Sequence, residues 1–441
     1  VLSSVLGQNY PSDELEYSWK KLMQNHPHDS ICCCSVDEVQ DEMATRFNKS
    51  KQVADYLVSE GTRYIADKIN TKEYEKYKNA LPFVVFNTTG RKRTSVVSVE
   101  IDVTRKSGWL KKCAYDLDEI NVPNYKLIDS AGNSIPFKIE DLGVRFGYDL
   151  PKDKFRQPYM ARRVRVTFEA ENISAVGYKT YALVEGDAEK VTDTLVSGEN
   201  CMENDAIRVE INKNGSLNVT DKASGRTYKG VAYYEKTGDL GNEYMYKMPE
   251  GSKAITTQDT VAKIELAEDE PYRAMYKITN TITVPKSGDD NFEDEKRHMV
   301  FFKERVGGRS NDTVEMKIET FVSLDKNGKG VKIKTRFDNE VKDHRVRIMV
   351  PTGINSDVHK ADSVFEVVTR NNRHNAGWNN PSGCEHEQGF VSIDDGEKGI
   401  AVANIGLYEY EMLPDLDNTI AVTILRAVGE MGDWGVLPTP K

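Results

Sequence analysis

Asn25-His26-Pro27-His28-Asp29-Ser30-Ile31 gathers more chemistry than any other stretch of this chain. Two imidazoles and a carboxylate so close together can bind a metal ion and hold a sugar hydroxyl. A neutral His28 imidazole suits zinc, and Asp29 suits a hydroxyl or a place behind a ligand. Pro27 ends any preceding helix and keeps its neighbour extended, so His28 and Asp29 are expected on an irregular turn. The plainer use of the same residues is a helix-terminal His that caps carbonyls and an Asp that caps the next helix. Zinc takes three or four protein ligands. This cluster offers one or two, so the rest must come from elsewhere in the fold or from outside this sequence.

Other stretches invite chemistry less strongly. Cys32, Cys33 and Cys34 are adjacent, whereas zinc sites space their cysteines by two to four residues. Small thiols at a tight helix junction are the better account. With Cys113, Cys201 and Cys384 they read as reduced thiols, which points to a cytoplasmic protein. Gly238 to Tyr246 is a glycine-bracketed loop with Glu243, Tyr244 and Tyr246, a composition suited to stacking on and hydrogen-bonding a sugar, and equally to an ordinary loop. Lys342 to Arg347 alternates charges with Val and reads as an edge or solvent-facing strand carrying an ion-pair network. Arg373 to Trp378 and Cys384 to Glu387 hold His374 and His386, and their Pro381-Ser382-Gly383 neighbourhood reads as a surface loop.

The elements that must position these residues change character along the chain. Ser12 is a plausible N-cap for a helix with Leu15, Trp19, Leu22 and Met23 on one face. Ser35 and Glu38 have the spacing of a capping box ahead of a stripe of Val36, Val39, Met43, Phe47, Ala54, Leu57, Ile65 and Ile69. A stripe that long needs partner helices, and only one other helix is read from the sequence, so a partial three-helix bundle is expected. From about residue 80 the period becomes two, as in Val97 to Val103 and Val164 to Phe168. Asn214-Gly215 and Lys326-Asn327-Gly328 mark hairpins. Almost no helical period recurs. The expected fold is mostly β: a helical segment over residues 1–78, a small β-sandwich over 79–190 and a large β-sandwich over 191–441, with the boundary between the β units near Glu185 to Asn200.

Composition narrows the partners. The 441 residues are 38% hydrophobic and 29% charged, enough for a real core, and 70 acidic against 60 basic residues leave a net charge of -10. That balance argues against nucleic acid or an anionic membrane surface. No apolar run reaches the roughly 18 residues of a membrane-spanning helix. The Asn-x-Ser/Thr triplets at Asn87, Asn172 and Asn311 are frequent by chance. The chain opens on Val1-Leu2-Ser3-Ser4 and closes on Pro438-Thr439-Pro440-Lys441, and we expect it to be part of a longer protein.

Trp19 to Ile31, with Ser35-Val36-Asp37-Glu38-Val39 and Arg46-Phe47, resembles the helical middle domain of glycoside hydrolase family 38, the α-mannosidases, in their bacterial form. Val85-Phe86-Asn87, Asn339 to Arg347 and Gly399 to Glu411 resemble later β segments of the same family, in the same order. The resemblance implies a large, galactose-mutarotase-like supersandwich and a retaining, zinc-dependent hydrolysis of α-mannosides. It assigns His28 to zinc, Asp29 to the sugar-binding subsite and, more loosely, Tyr244 to the rim of the active site. The remaining zinc ligands, the nucleophile and the acid/base carboxylate belong to an N-terminal β/α domain absent from this sequence, so no catalytic residue is assigned and the chain alone is expected to be inactive. Cys33 stands where the family usually has glycine. Composition and strand pattern also permit a non-enzymatic carbohydrate-binding β-sandwich, which would have no need of the His28-Asp29 pair.

Overall fold

The computed structural model describes residues 1–32, 35–151, 153–189, 191–373 and 383–429. The chain forms two compact units that meet in sequence between Val191 and Thr192. Every strand pairing among the described residues is antiparallel, and strands far outweigh helices. No helix among the described residues is long and apolar enough to cross a membrane.

The first unit opens with helices α1 (Leu2–Val5), α2 (Ser12–Met23), α3 (His28–Ile31) and α4 (Asp37–Ala66). α2 and α4 run antiparallel, tied where the Ser18 and Ser50 hydroxyls lie 2.9 Å apart and where Asn25 Nδ2 donates to the Met43 carbonyl at 2.9 Å. Neither helix follows the expected caps. α2 begins at Ser12 itself, after Pro11, and α4 begins after Val36 with no side-chain cap. Ser35 donates to the Asp29 carbonyl instead, at 2.9 Å, because the turn that carries His28 competes for its hydroxyl. Met43 is the one buried residue of α4. Trp19, Met23, Ile31 and Val36 stay exposed around the turn, so the apolar stripe is only partly covered.

The rest of the first unit is a β-sandwich. One sheet orders Leu81–Asn87, Gly177–Glu185, Tyr125–Asp129 and Ser134–Ile135, and the other orders Arg93–Lys106, Gln157–Ile173 and Phe137–Asp149. Alternation along Val97 to Val103 and Val164 to Phe168 sends every second side chain inward, where Val164, Val166 and Phe168 meet Leu127, Tyr181 and Leu183 of the opposite sheet. Phe168 and Tyr181 pack edge to face with centroids 4.8 Å apart. Helix α5 (Leu110–Asp118), missed by the period reading, buries Cys113 and Leu117.

The second unit holds sheets of five, six, four and four strands around two apolar clusters. Both expected hairpins form: Ile211 faces Leu217 across a turn in which Gly215 has φ +85°, and Ser323 faces Lys332. Helix α6 (Asp290–Arg297) is the second helix that the strand-period reading missed, capped by Asp289 accepting from the Phe292 amide. The six-stranded sheet carries both the charged stretch that ends at Arg347 and the strand from which the Tyr244 loop departs. Its order is Ile255–Thr256, Tyr233–Gly238, His344–Val350, Ile420–Ala427, Glu409–Met412 and Cys384–His386. Truncating Phe168 to Ala should lower the unfolding free energy by about 3–5 kcal/mol, read as a fall in the urea midpoint of the first transition to involve the small sandwich.

Candidate functional site

His28 and Asp29 begin a one-turn helix rather than an irregular loop. Pro27 is extended at φ -50°, ψ 140°, and its carbonyl accepts from the Ser30 and Ile31 amides, both at 3.0 Å. α2 has already closed at Met23, and the proline starts α3. The turn is pinned on one side by Asn25, whose amide reaches Met43, and on the other by Ser35. Between these pins the His28 Nε2 lies 3.0 Å from Asp29 Oδ1, with the two side chains 89% and 68% exposed. The pair is therefore presented outward on a fixed backbone.

Two donors do not make a zinc site. Among the described residues no group of three His, Cys, Asp or Glu side chains converges anywhere, against the three or four ligands that zinc takes from protein. Cys33, Cys34 and the stretch from His374 to Ser382 lie outside the described residues. His28 and Asp29 fit zinc only as a share of a site, and no chemical step can be assigned to them through it.

Tyr244 belongs to the second unit, on the loop after strand Tyr233–Gly238. Its side chain is 63% exposed, yet the loop beneath it is rigidly held. Asn242 Oδ1 accepts from the Tyr244 and Met245 amides at 3.0 and 2.9 Å. Fully buried Asp239 accepts from the Gly241 amide at 2.9 Å and pairs with Arg426, whose guanidinium also donates to the Asn242 carbonyl at 2.7 Å. Burial pushes the Asp239 carboxyl up while Arg426 opposes it. Arg305 adds a bond to the Leu240 carbonyl at 2.8 Å. Asp239, Arg305 and Arg426 were not singled out in sequence, because their meaning lies in contacts across 64 to 187 residues.

Apart from exposed Lys342, the Lys342 to Arg347 stretch is neither an edge nor solvent-facing. Strand His344–Val350 sits inside the six-stranded sheet, with Tyr233–Gly238 on one side and Ile420–Ala427 on the other. Arg347 is buried between Glu235, directly opposite it, and Glu411, two strands away on the other side. Burial alone would depress its pKa, and the two carboxylates carry it above the usual arginine value. Arg345 stacks over the Tyr246 ring, 3.5 Å from the centroid, and donates to Cys384 Sγ at 3.3 Å. The two arginines are tolerated there because Arg347 has counter-charges within the sheet and Arg345 has a ring beside it. Cys384 to Glu387 is likewise not a surface loop: Cys384–His386 is a strand and Glu387 is buried, its carboxyl pushed to about 7 by burial.

The same sheet holds a basic group with no carboxylate in contact among the described residues. The Lys236 ammonium is buried, 3.4 Å from the Pro285 carbonyl, and burial with Arg309 nearby brings its pKa down to about 7. His344 is buried too, and burial plus Lys236 and Arg309 lower it to about 3, which keeps it neutral. Its Nε2 donates to Asn339 Oδ1 at 2.9 Å.

Two family models match the chain: "Glycosyl hydrolases family 38 C-terminal domain 1" over residues 78–185, and "Glycosyl hydrolases family 38 C-terminal domain" over residues 202–430. A Halalkalibacterium halodurans protein named "Putative mannosylglycerate hydrolase" is 39% identical over 97% of this chain and 48% of its own length. The crystal structure of an α-mannosidase from Enterococcus faecalis V583 superposes with a TM-score of 0.95 at 40% identity, over all of this chain and 50% of that one. A family 38 glycosyl hydrolase structure from Enterococcus faecalis gives 0.92 at 39% identity, over 51% of its length. The chain belongs to glycosyl hydrolase family 38 and corresponds to its C-terminal region. It spans about half the length of the relatives it matches.

Replacing Arg347 with Ala strands Glu235 and Glu411 in the sheet. The loss should be about 3–5 kcal/mol, measured by chemical unfolding at neutral pH. Lys236→Met should act in the opposite direction. The folded-state pKa near 7 lies below the ordinary lysine value of 10.5, so the unfolded chain binds the extra proton between those limits. Stability attached to this residue is complete above about 10.5, falls as pH falls, and stays low below about 7. The variant should melt higher at pH 7 and show a flatter rise in melting temperature from pH 7 to 10 than the parent.

Proposed function

We propose that this chain is the C-terminal share of a retaining, zinc-dependent α-mannosidase, and that it is inactive without an N-terminal catalytic β/α domain. The observation that carries the reading is the outward-facing His28-Asp29 pair on a pinned one-turn helix. A ligand and a carboxylate held that way, with no third metal-binding side chain beside them among the described residues, suit a site whose other half comes from outside this sequence. His28 supplies one zinc ligand through its imidazole, Asp29 holds a sugar hydroxyl, and Tyr244 offers its exposed ring to the α-mannoside. Zinc, when bound, orients sugar hydroxyls at the bond to be cleaved. The nucleophile and the acid/base lie outside this sequence, where a retaining mechanism holds two carboxyl groups about 5–5.5 Å apart. The names of the relatives favour a mannoside as substrate. The thiols of Cys32, Cys113 and Cys201, in no disulfide among the described residues, favour a reducing compartment, the cytoplasm.

Zinc titration by calorimetry tests this on three proteins: this chain, the full-length parent and the parent carrying His28→Ala. The parent should bind one zinc tightly and cleave an aryl α-mannoside, and His28→Ala should lose at least 100-fold in both. This chain should bind zinc weakly and cleave nothing. Tight one-to-one binding or hydrolysis by this chain alone would overturn the proposal.

A further inference from the structure

Strand Thr313–Asp325 is paired along its whole length on one side only. Against Arg273–Pro285 the register runs from Pro285↔Thr313 to Arg273↔Asp325 without a break. Against Lys332–Arg336 it covers Glu319 to Ser323 and stops. Beyond Arg336 the neighbouring chain swings away, leaving the second edge of Thr313 to Ile318 open among the described residues. A groove of about 660 Å³ lies there, with Phe337, Asp338, Glu340 and Val341 as its far wall.

The far wall does not pair with the strand, and the backbone of Val341 is engaged by the Asn339 side chain instead. Asn339 donates from Nδ2 to the Val341 carbonyl at 3.0 Å, and its Oδ1 accepts from the Val341 amide at 3.3 Å and from His344 Nε2 at 2.9 Å. That side chain holds the wall at a distance from the edge. The floor is continuous with a core cluster: Met316 and Val341 are buried, and Val314 and Phe337 pack against it half-buried. An open edge of this kind exposes a row of backbone donors and acceptors beside apolar side chains, the arrangement that accepts another strand.

We infer that the open edge of Thr313 to Ile318 receives one antiparallel or parallel β-strand from the part of the protein that lies outside this sequence. The inference rests on the reading that the working protein is longer than this chain, which spans about half of each relative. Six residues of edge extend about 17–20 Å, the length of an ordinary strand. The added strand places apolar side chains over Met316 and Phe337 on the core face. Glu315, Asp338 and Glu340 are exposed with no ion-pair partner among the described residues and outnumber Arg336, since Lys317 is paired with Glu319, so it carries Lys or Arg on the face turned toward them.

Site-resolved hydrogen exchange on the full-length parent tests this. Amides from Val314 to Ile318 that point at Arg273–Pro285 are protected in any case, so the alternate ones decide. Expected is slowing of those alternate amides by at least 100-fold relative to unstructured peptide, independent of protein concentration. The double charge reversal Glu315→Lys with Glu340→Lys should then speed their exchange at least tenfold. Alternate amides that exchange at near-unstructured rates overturn the inference. So does protection that rises with protein concentration, because the strand would then come from a second copy, and so does equal protection in this chain alone, because the strand would then come from within it. Zinc titration of the same sample keeps the two readings apart: zinc bound through His28 with the edge still open sinks only the added strand.

Discussion

Arg347 is the residue around which the large unit is organised. Its guanidinium, buried within a six-stranded sheet, needs Glu235 from the strand beside it and Glu411 from two strands away on the other side. A charge removed from water is tolerated only with such partners in place. That requirement fixes which strands are neighbours and in which register, since a slip of one residue would turn the guanidinium to the opposite face. The same strand carries Arg345 to Tyr246 and Cys384 and begins at His344. One strand thereby sets the loop that bears Tyr244 and the strand that begins at Cys384.

The two places that carry candidate sugar and metal contacts are built alike. In each, an exposed side chain stands on backbone held by hydrogen bonds to neighbours, with at least one of them buried: Asp239 and Asn242 in the one, Asn25 in the other. Beneath Tyr244 the neighbours are Asp239, Asn242 and Arg426; beneath His28 they are Asn25, Ser35 and the proline that resets the chain. Rigid support under an exposed group means little ordering entropy is lost when something binds to it. Lys236 and His344 contrast with this, being buried and, among the described residues, without a carboxylate in contact, so their effect falls on stability rather than on recognition.

Much of the fold was legible in the residues. The change of period near residue 80, the Val97 and Val164 strands and the Asn214-Gly215 hairpin all follow from local pattern, and the His28-Asp29 string pointed to the family confirmed by the two domain models. What failed was whatever depended on distant partners. Lys342 to Arg347 reads as solvent-facing because its counter-charges stand 112 and 64 residues away. Ser35 reads as a cap because the competing Asp29 carbonyl is invisible in spacing. α5 and α6 are short helices set among strands, where two or three apolar positions are too few to show a period. Pinning of the Tyr244 loop was beyond reach for the same reason as Arg347: Asp239 and Arg426 are neighbours only once the sheet has closed.

That closure has a temporal side. Glu235 and Arg347 leave the ribosome well before the strand Ile420–Ala427 that separates Arg347 from Glu411. At roughly 5–20 residues per second, the 80 residues from Arg347 to Ala427 take on the order of 4–16 seconds to appear. Throughout that interval the nascent sheet has a half-neutralised arginine and an unsealed edge of apolar strand. The large unit therefore cannot complete this sheet until Ala427 has been made, while the small sandwich, complete by Glu185, can fold ahead of it.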